Sequence, residues 1–490
     1  MQPAVKSYWF EKGWQDLRDT MKRAWELNRQ KQAEIRARPA LDLSAPGDIA
    51  KGIFRWAGIT SILVFGSLVT AFVAVVNSAI VVVLMGCVYV SFGVVWLVDR
   101  AYLAKNKIFT ACHHCKMKAL IPTYLCPGCG VEHTHLVPGV YGVLKRRCTG
   151  SSGSCGTVLP TAFFNGRSEL VAECGNCHTP LNSRESRPIC IPVVGGRSVG
   201  KTAFITAFAH DFITSVAPKK SLETEFYNAE KGSIYREIER AYSTSDFELT
   251  PVKSTDGISS VSFSFFVKGE TLKPDRLLHI YDIAGEVFTQ NVEVEVQQQY
   301  EYCHGIVMIV DPLSIDSIYY QYEPQLSEID KGRRGAAENT DVVDAFINKL
   351  REVTGLSANK IHDVPLAVVL TKIDAIDELR TQLSTASARS LLNAEPEKYK
   401  SLEDAHDYQC RQLFVAHEMR HFVSTINLRF KNNRFFACSP MGHTATHGAF
   451  QPEGVMPVME WLIQLADPQL GERIGETKYS KQPAGRKALV

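Results

Sequence analysis

Between Trp56 and Val98 the chain carries no Asp, Glu, Lys or Arg. As one helix this run would extend about 64 Å, at about 1.5 Å per residue. A bilayer core is about 30 Å thick and needs about 20 residues. The pattern therefore predicts two membrane helices in a tight hairpin, with the break at Asn77 and Ser78, the most polar point near the middle. Lys51 and Arg55 precede the run, and Arg100, Lys105 and Lys107 follow it. Positive charge on both flanks places both ends, and with them both termini, on the cytosolic side of a cell membrane. A buried hairpin in a soluble core is the competing reading, but core helices rarely lack charge over such a length. The run starts too late and is too long for a signal peptide. Residues 1–50 form an amphipathic segment, helical over Val5–Arg38, in which Trp9, Phe10, Trp14, Leu17, Met21, Trp25 and Leu27 are set among Lys and Arg; Pro39 and Pro46 end it. That mixture suits a membrane interface. It suits equally a helix packed on another domain or on a second copy of the chain.

Past Pro188 the pattern changes to alternating strands and helices. Ile189–Val194, Leu277–Tyr281, Ile306–Val310, Leu366–Leu370 and Phe435–Ala437 read as strands. Ala203–Ile213, Ile234–Tyr242 and Glu403–Leu428 read as helices. Composition adds bounds. The 490 residues allow two to four globular units, at roughly 100–200 residues each. A balance of 54 Lys+Arg against 52 Asp+Glu leaves a net charge of +2, which argues against nucleic acid as a partner. With 45% hydrophobic and 22% charged residues the chain is not disordered.

Of the 13 cysteines, eight are confined to Cys112–Cys177. Cys112 with Cys115, and Cys126 with Cys129, are two Cys-x-x-Cys hooks, and four such thiolates select zinc. Cys148 and Cys155, with Cys174 and Cys177, are expected to make a second set. Residues 108–182 thus resemble tandem zinc ribbons holding two Zn²⁺. Disulfides are disfavoured in a segment placed in the reducing cytosol. A redox role would need a thioredoxin-like strand–helix context, which is absent. His113, His114 and His178 are substitute ligands that complete cysteine sets make unnecessary. Cys87 lies in the apolar run, and Cys190, Cys303, Cys410 and Cys438 are expected to be buried thiols.

After the strand Ile189–Val194 come Gly195, Gly196, Arg197, Ser198, Val199, Gly200, Lys201 and Thr202, then a helix. This is a complete P-loop in its strand–loop–helix context. Backbone N–H groups would wrap the β-phosphate, Lys201 would reach the β- and γ-phosphates, and Thr202 would ligate Mg²⁺. The strand Leu277–Tyr281 ends in Asp282, Ile283, Ala284 and Gly285, so Asp282 is placed to hold Mg²⁺ and the Gly285 N–H to sense a γ-phosphate. The strand Leu366–Leu370 ends in Thr371, Lys372, Ile373 and Asp374. Lys372 would lie along a base plane, while the Asp374 carboxylate accepts from guanine N1–H and its exocyclic amine. Cys438 and Ser439 would touch the base from below.

This ordered set resembles the Ras-like, translation-factor-related class of P-loop GTPases over roughly Pro188 to Pro468. The resemblance implies an α/β GTPase domain at residues 188–468, with a mostly parallel sheet flanked by helices, Mg²⁺, and a GTP/GDP switch. With the upstream hairpin and ribbons, the architecture resembles the membrane-anchored GTPases of bacterial conflict and signalling systems. Three departures stand out. Glu286 stands where many small GTPases carry Gln, Arg197 and Ser198 stand where Ras-like loops often have Gly, and no switch I Thr is identifiable beyond the candidates Thr250 and Thr255. The insertion Ser314–Thr340, with Lys331, Gly332, Arg333 and Arg334, is a usual place for a partner and by default a solvated loop. His406, His417 and His421 read as surface or packing residues, and residues 469–490 as a basic tail.

The primary expectation is a membrane-anchored GTPase with slow intrinsic turnover that acts on a cytosolic protein partner, Glu286 being the group after Gly285 that faces the attacking water. Self-assembly remains open. One rival is a GTP-gated membrane-perturbing effector. Another is a non-hydrolysing adaptor that presents its ribbons to a partner.

Overall fold

The computed structural model describes residues 2–10, 12–37, 46–112, 115, 117–181, 186–196, 198–227, 229–243, 262–282, 303–332, 334–335, 362–443 and 450–475. The chain divides into two compact units. One joins Met1–Asn106 to Leu120–Arg184, the other Lys107–Ala119 to Glu185–Val490.

The first unit begins with α1 (Lys12–Ala37), α2 (Pro46–Ser61), a π-helical turn Ile62–Gly66 and α3 (Ser67–Lys105). The expected break at Asn77 and Ser78 does not occur: the helix runs unbroken through both. Ser78 Oγ donates to the Ala74 carbonyl at 2.6 Å, so its hydroxyl is satisfied inside the helix. Neither Asn nor Ser forces a turn, and no Pro lies between Ser67 and Val98. Opening the helix there would expose backbone groups without replacing their bonds. Among the described residues one helix, Ile49–Lys105, is long and apolar enough to cross a membrane, in place of the two expected.

The hairpin that does form pairs α1 with α3. The Phe10 ring meets Tyr89 at 4.7 Å and Phe92 at 6.3 Å. Further along, Ser78 donates to Met21 Sδ at 3.3 Å, and Asn28 and Gln32 donate to Ser67 Oγ at 3.3 and 3.1 Å. Numbers rise along one helix and fall along the other, so the two are antiparallel. Leu17, Met21, Ala24, Asn28 and Gln32, spaced three or four apart, form the half-buried stripe of α1.

The far end of α3 is locked by a buried pair. Asp99 and Arg167 are both fully buried and meet at 3.0 Å, and Asp99 also accepts from the Phe163 N–H at 2.8 Å. The ribbon is built from β3 (Thr123–Leu125), β4 (Glu132–His133), β7 (Ala172–Glu173) and β8 (Pro180–Leu181) in the order β4-β3-β7-β8, all antiparallel. Beside it stands the pair β5 (Lys145–Arg147) and β6 (Val158–Pro160). The first residues of the chain add to β5: Val5 N–H donates to the Arg147 carbonyl at 3.1 Å and Thr149 N–H to Pro3 at 3.0 Å.

The second unit opens with the hairpin β1 (Thr110–Ala111) and β2 (Lys118–Ala119). Its body is a seven-stranded sheet in the order β10-β11-β12-β9-β13-β14-β15. These are β9 (Arg187–Val194), β10 (Glu223–Phe226), β11 (Ser262–Gly269), β12 (Leu272–Asp282), β13 (Ile306–Val310), β14 (Leu366–Leu370) and β15 (Asn433–Ala437). The β10–β11 and β11–β12 pairs are antiparallel; the rest are parallel. β13 and β14 are continuous apolar runs, buried at every position, because helices cover both faces. Ile189, Ile191 and Val193 pack on one side with Phe204, Phe208 and Trp461. Cys190 and Val194 pack on the other with Met308, Phe414 and Phe435. The covering helices include α4 (Lys201–Asp211), α5 (Ala229–Ser243), α6 (Asp316–Tyr322), α7 (Leu402–Ala416), α8 (Arg420–Arg429) and α9 (Val455–Ala466). A last helix, α10 (Pro468–Ile474), is tied down where Arg276 Nε donates to Asp467 at 2.6 Å. Lys478, Lys481, Arg486 and Lys487 of the expected tail lie outside the described residues.

Candidate functional site

The parallel register brings the carboxyl ends of β9, β12, β13 and β14 to one edge, with Asp282 opposite Val193 and Val310 opposite Leu370. β15 ends there too, Ala437 opposite Leu370. That edge is where open α/β sheets bind ligands, and the loops after these strands hold the P-loop, Asp282, Asp311, Thr371 and Cys438.

Backbone shape fixes the P-loop. Gly195 has φ 152°, and a Cβ there would lie 2.5 Å from the Ile309 carbonyl oxygen, so only glycine fits against β13. Gly200 enters α4 at φ 95°. Gly196 and Val199 are buried, and Ser198 is exposed with φ 61°. Lys201 Nζ donates to the Gly195 and Gly196 carbonyls at 2.9 and 2.7 Å and lies 3.9 Å from Asp282. Thr202 Oγ1 donates to Asp282 Oδ2 at 3.3 Å. A hydroxyl and a buried carboxylate side by side form a hard-oxygen pair that suits Mg²⁺.

The second motif is bonded to the first. Thr371 Oγ1 donates to the Val199 carbonyl at 2.7 Å. Lys372, at φ 53°, reaches back so that Nζ donates to the Ser198 carbonyl at 2.8 Å and to Asp311 Oδ2 at 2.7 Å. Asp374 is half-buried. Burial pushes its carboxyl up, against a hydrogen bond from Ser439 and the charges of Arg380 and His443. Ser439 is buried, and its Oγ also accepts from the Gly442 N–H at 2.9 Å. Burial pushes the Cys438 thiol well up, so it packs as an unreactive group. Arg197, Thr250, Thr255, Gly285 and Glu286 lie outside the described residues. Asp311 was missed by motif reading; its signal is an acid directly after the apolar strand Ile306–Val310.

The zinc ligands group differently from the expected order. Cys126, Cys129, Cys148 and Cys155 bring their four sulfurs within 4.8 Å of one another. Cys126 and Cys129 are not grouped with Cys112 and Cys115. The reason lies in the sheet. Thr123 of β3 faces Glu173 of β7 in antiparallel register, so the hook after β3 and the hook after β7 point to opposite ends. Cys148 and Cys155, from the β5–β6 pair, sit with the former. The Cys126–Cys155 and Cys129–Cys148 sulfurs are each 3.7 Å apart. A tetrahedron with Zn–S of about 2.3 Å has an edge of about 3.8 Å, so the donor set fits zinc.

Second neighbours complete it. Cys148 Sγ accepts from the Gly150 N–H at 3.2 Å and lies 3.3 Å from His133 Nε2. Arg146 reaches His133 Nδ1 at 2.6 Å. Because Arg only donates, Nδ1 is the acceptor and Nε2–H points at the sulfur. Burial and the charge of Arg146 hold the His133 pKa down at about 4. Cys112 and Cys115 belong to the second unit, and Cys174 and Cys177 to the first. Within its own unit each of these hooks is closed by a backbone bond, Cys112 N–H to Met117 and Cys174 N–H to Thr179, both at 3.0 Å.

His113 and His114 lie outside the described residues, and His178 lies 3.3 Å from Glu132. His406 is bonded to the Leu383 carbonyl at 2.9 Å, a packing role. Cys190, Cys303, Cys410 and Cys438 are buried and Cys87 is exposed; burial pushes the Cys303 thiol up to about 12.

The P-loop stands at the carboxyl edge of this sheet with Asp282 and the Thr371–Asp374 motif beside it, the arrangement of strand-end motifs that P-loop GTPase domains share. More narrowly, residues 189–411 match the family model described as Double-GTPase 2. No curated protein matches the sequence. Solved structures that match include the S. cerevisiae Ski7 GTPase-like domain bound to GTP, at 12% identity and a TM-score of 0.28. The same domain bound to GDP and inorganic phosphate matches at 14% identity and a TM-score of 0.28. Each match covers 60% of this chain and 51% of the other, so the chain spans about half the length of those it matches.

Proposed function

We propose that the protein is a membrane-associated GTPase. It binds GTP with Mg²⁺ held by Thr202 and Asp282, hydrolyses it slowly, and works as a switch on a cytosolic protein partner. The observation that carries the guanine reading is the direct bonding of Thr371 and Lys372 to the P-loop carbonyls of Val199 and Ser198. It supports a reading in which Asp374 faces the base and Lys201 the phosphates. Glu286, next to Gly285 in sequence, can only accept hydrogen bonds when ionised, which accounts for slow turnover. Two Zn²⁺ hold the ribbons, one for each set of four cysteines. The exposed apolar surface of α2 and α3, with Phe54 at 79% and Phe72 at 69%, supports association with lipid.

Base choice tests the reading. Asp374→Asn should weaken GTP binding by roughly 10- to 100-fold, the loss of a charge-assisted pair, and gain binding of xanthosine triphosphate. Equal affinity of the parent protein for ATP and GTP would overturn the guanine assignment. Turnover is checked separately by single-turnover hydrolysis, where a fast parent rate abolished by Glu286→Ala would make Glu286 the working catalytic group.

A further inference from the structure

Asp311 follows β13 directly, and its carboxylate is fully buried. It accepts from three donors. Oδ1 takes the Leu313 N–H at 2.9 Å, while Oδ2 takes the Gly335 N–H at 3.0 Å and Lys372 Nζ at 2.7 Å. The first bond is local and caps the short helix Pro312–Ser314. The other two join parts of the chain far apart in sequence. Lys372 belongs to the base-recognition motif, and its Nζ is shared between Asp311 and the P-loop carbonyl of Ser198. Gly335 closes the insertion that follows β13. It fits so tightly that an added Cβ would lie 3.0 Å from Val199 Cγ1 and 3.2 Å from Asp311 Oδ2.

The residue before it anchors that insertion. Arg334 Nε donates to the Leu313 carbonyl at 2.8 Å, its guanidinium is bonded to Asp316, and it lies 4.1 Å over the Tyr319 ring. Arg334 sits in the basic stretch that sequence alone leaves as a solvated loop. In the structure it holds the Gly335 N–H onto the same carboxylate oxygen that grips Lys372.

We propose that Asp311 is a positioning residue for guanine-nucleotide binding, and that the Arg334–Gly335 turn is a lever on nucleotide release. Asp311 fixes the Lys372 ammonium against the P-loop, so the Lys372 stem keeps one place at the base. Its second bond, to Gly335, makes that grip depend on the seating of the insertion. When Arg334 leaves its anchors, the Gly335 N–H moves off Oδ2, the buried carboxylate loses a donor, and Lys372 is no longer held in one direction. This rests on the GTPase reading and adds to it the part of the chain through which release is regulated.

The test is dissociation of a fluorescent GDP analogue from the full chain, followed by stopped flow. Asp311→Asn should speed dissociation roughly 10- to 100-fold, the effect of losing one charge-assisted hydrogen bond. Lys372→Ala should do the same, and the double variant should be no faster than Lys372→Ala alone, since both changes break one link. Arg334→Ala, which is partly exposed and tolerable to the fold, should speed release several-fold in the parent and not at all in Asp311→Asn. A purely structural role predicts additive effects and a lowered Tm without this coupling. Unchanged release in Asp311→Asn, additivity with Lys372→Ala, or an Arg334→Ala effect that persists without Asp311 would each overturn the proposal while leaving the GTPase reading intact. If Asp311→Asn does not fold, unchanged release in Arg334→Ala overturns it. A parent chain that holds no guanine nucleotide overturns both.

Discussion

The two units of this chain are held together by different means. The second rests on a sheet whose parallel strands run five to eleven residues, with β13, β14 and β15 buried at every position. The ribbon strands of the first run two or three residues, too short to bury a core of their own. In their place stand four sulfurs converging on one point and the buried pair of Asp99 with Arg167. A core built from many apolar contacts tolerates the loss of any one of them. A unit held by four converging thiolates and one buried ion pair concentrates its stability in single groups, whereas the second unit sets its own buried pairs, Arg411 with Asp407 and Arg434 with Asp404, beside an extensive apolar core.

The largest effect that would test this contrast is removal of zinc. Structural zinc in small units contributes about 10–16 kcal/mol of apparent binding free energy. Cys126→Ser should therefore unfold the ribbon while guanine-nucleotide affinity of the second unit, measured with Mg²⁺ present, stays within about twofold. Loss of nucleotide binding together with the metal would break the comparison. The buried pair comes next. Arg167→Met leaves Asp99 charged and unpaired, a cost of about 3–5 kcal/mol. A separate thermal transition of the first unit should fall, and Asp99→Leu combined with Arg167→Met should recover most of the loss. A lowered Tm that the double change does not recover would assign the effect to packing.

The smallest effect belongs to the second unit and sharpens the same point. Burial pushes the Asp467 carboxyl up, but the hydrogen bond and charge of Arg276, the Leu470 N–H and Arg187 outweigh it and hold the group below the usual range. A depressed carboxyl adds stability above its unfolded value of about 3.9 and loses it as pH falls through the lowered value. Hydrogen exchange at Leu470 and Ile474 should rise as the pH falls from about 5, and Asp467→Asn should remove that acid step. Sheet amides should stay protected, since no single group carries that core.

The nucleotide site was legible because each of its parts is a short contiguous motif after an apolar strand. Gly195–Thr202, Asp282 and Thr371–Asp374 need no partner sequence to be recognised, and a parallel sheet brings strand ends to one edge. Asp311 was not legible, because a lone acid after a strand has no pattern; its meaning comes from Gly335 and Lys372, which only the fold brings to it. The cysteine hooks were legible as hooks, but their grouping was not. Cys126 and Cys129 group with Cys148 and Cys155, and β3 carries them to the end of the sheet away from the hook that follows β7. The hairpin was misplaced for a related reason. Hydropathy reports that a stretch avoids water and not where it bends, and the helix meant to turn at Asn77 instead pairs with the charged, Trp-rich α1.

The order in which these contacts become available during synthesis has its own consequence. Asp99 lies 68 residues before its partner Arg167, and Gln2 lies 144 residues before Arg146, whose guanidinium it contacts at 3.4 Å. At about 5–20 residues per second, the apolar helix leaves the ribosome roughly 3–14 s before the arginine that buries its only acid. The opening strand of the chain waits roughly 7–29 s for its place beside β5. During the first of these intervals Asp99 is without the guanidinium that neutralises it in the folded unit. The apolar helix is thus complete before the arginine that closes over its acid has been made.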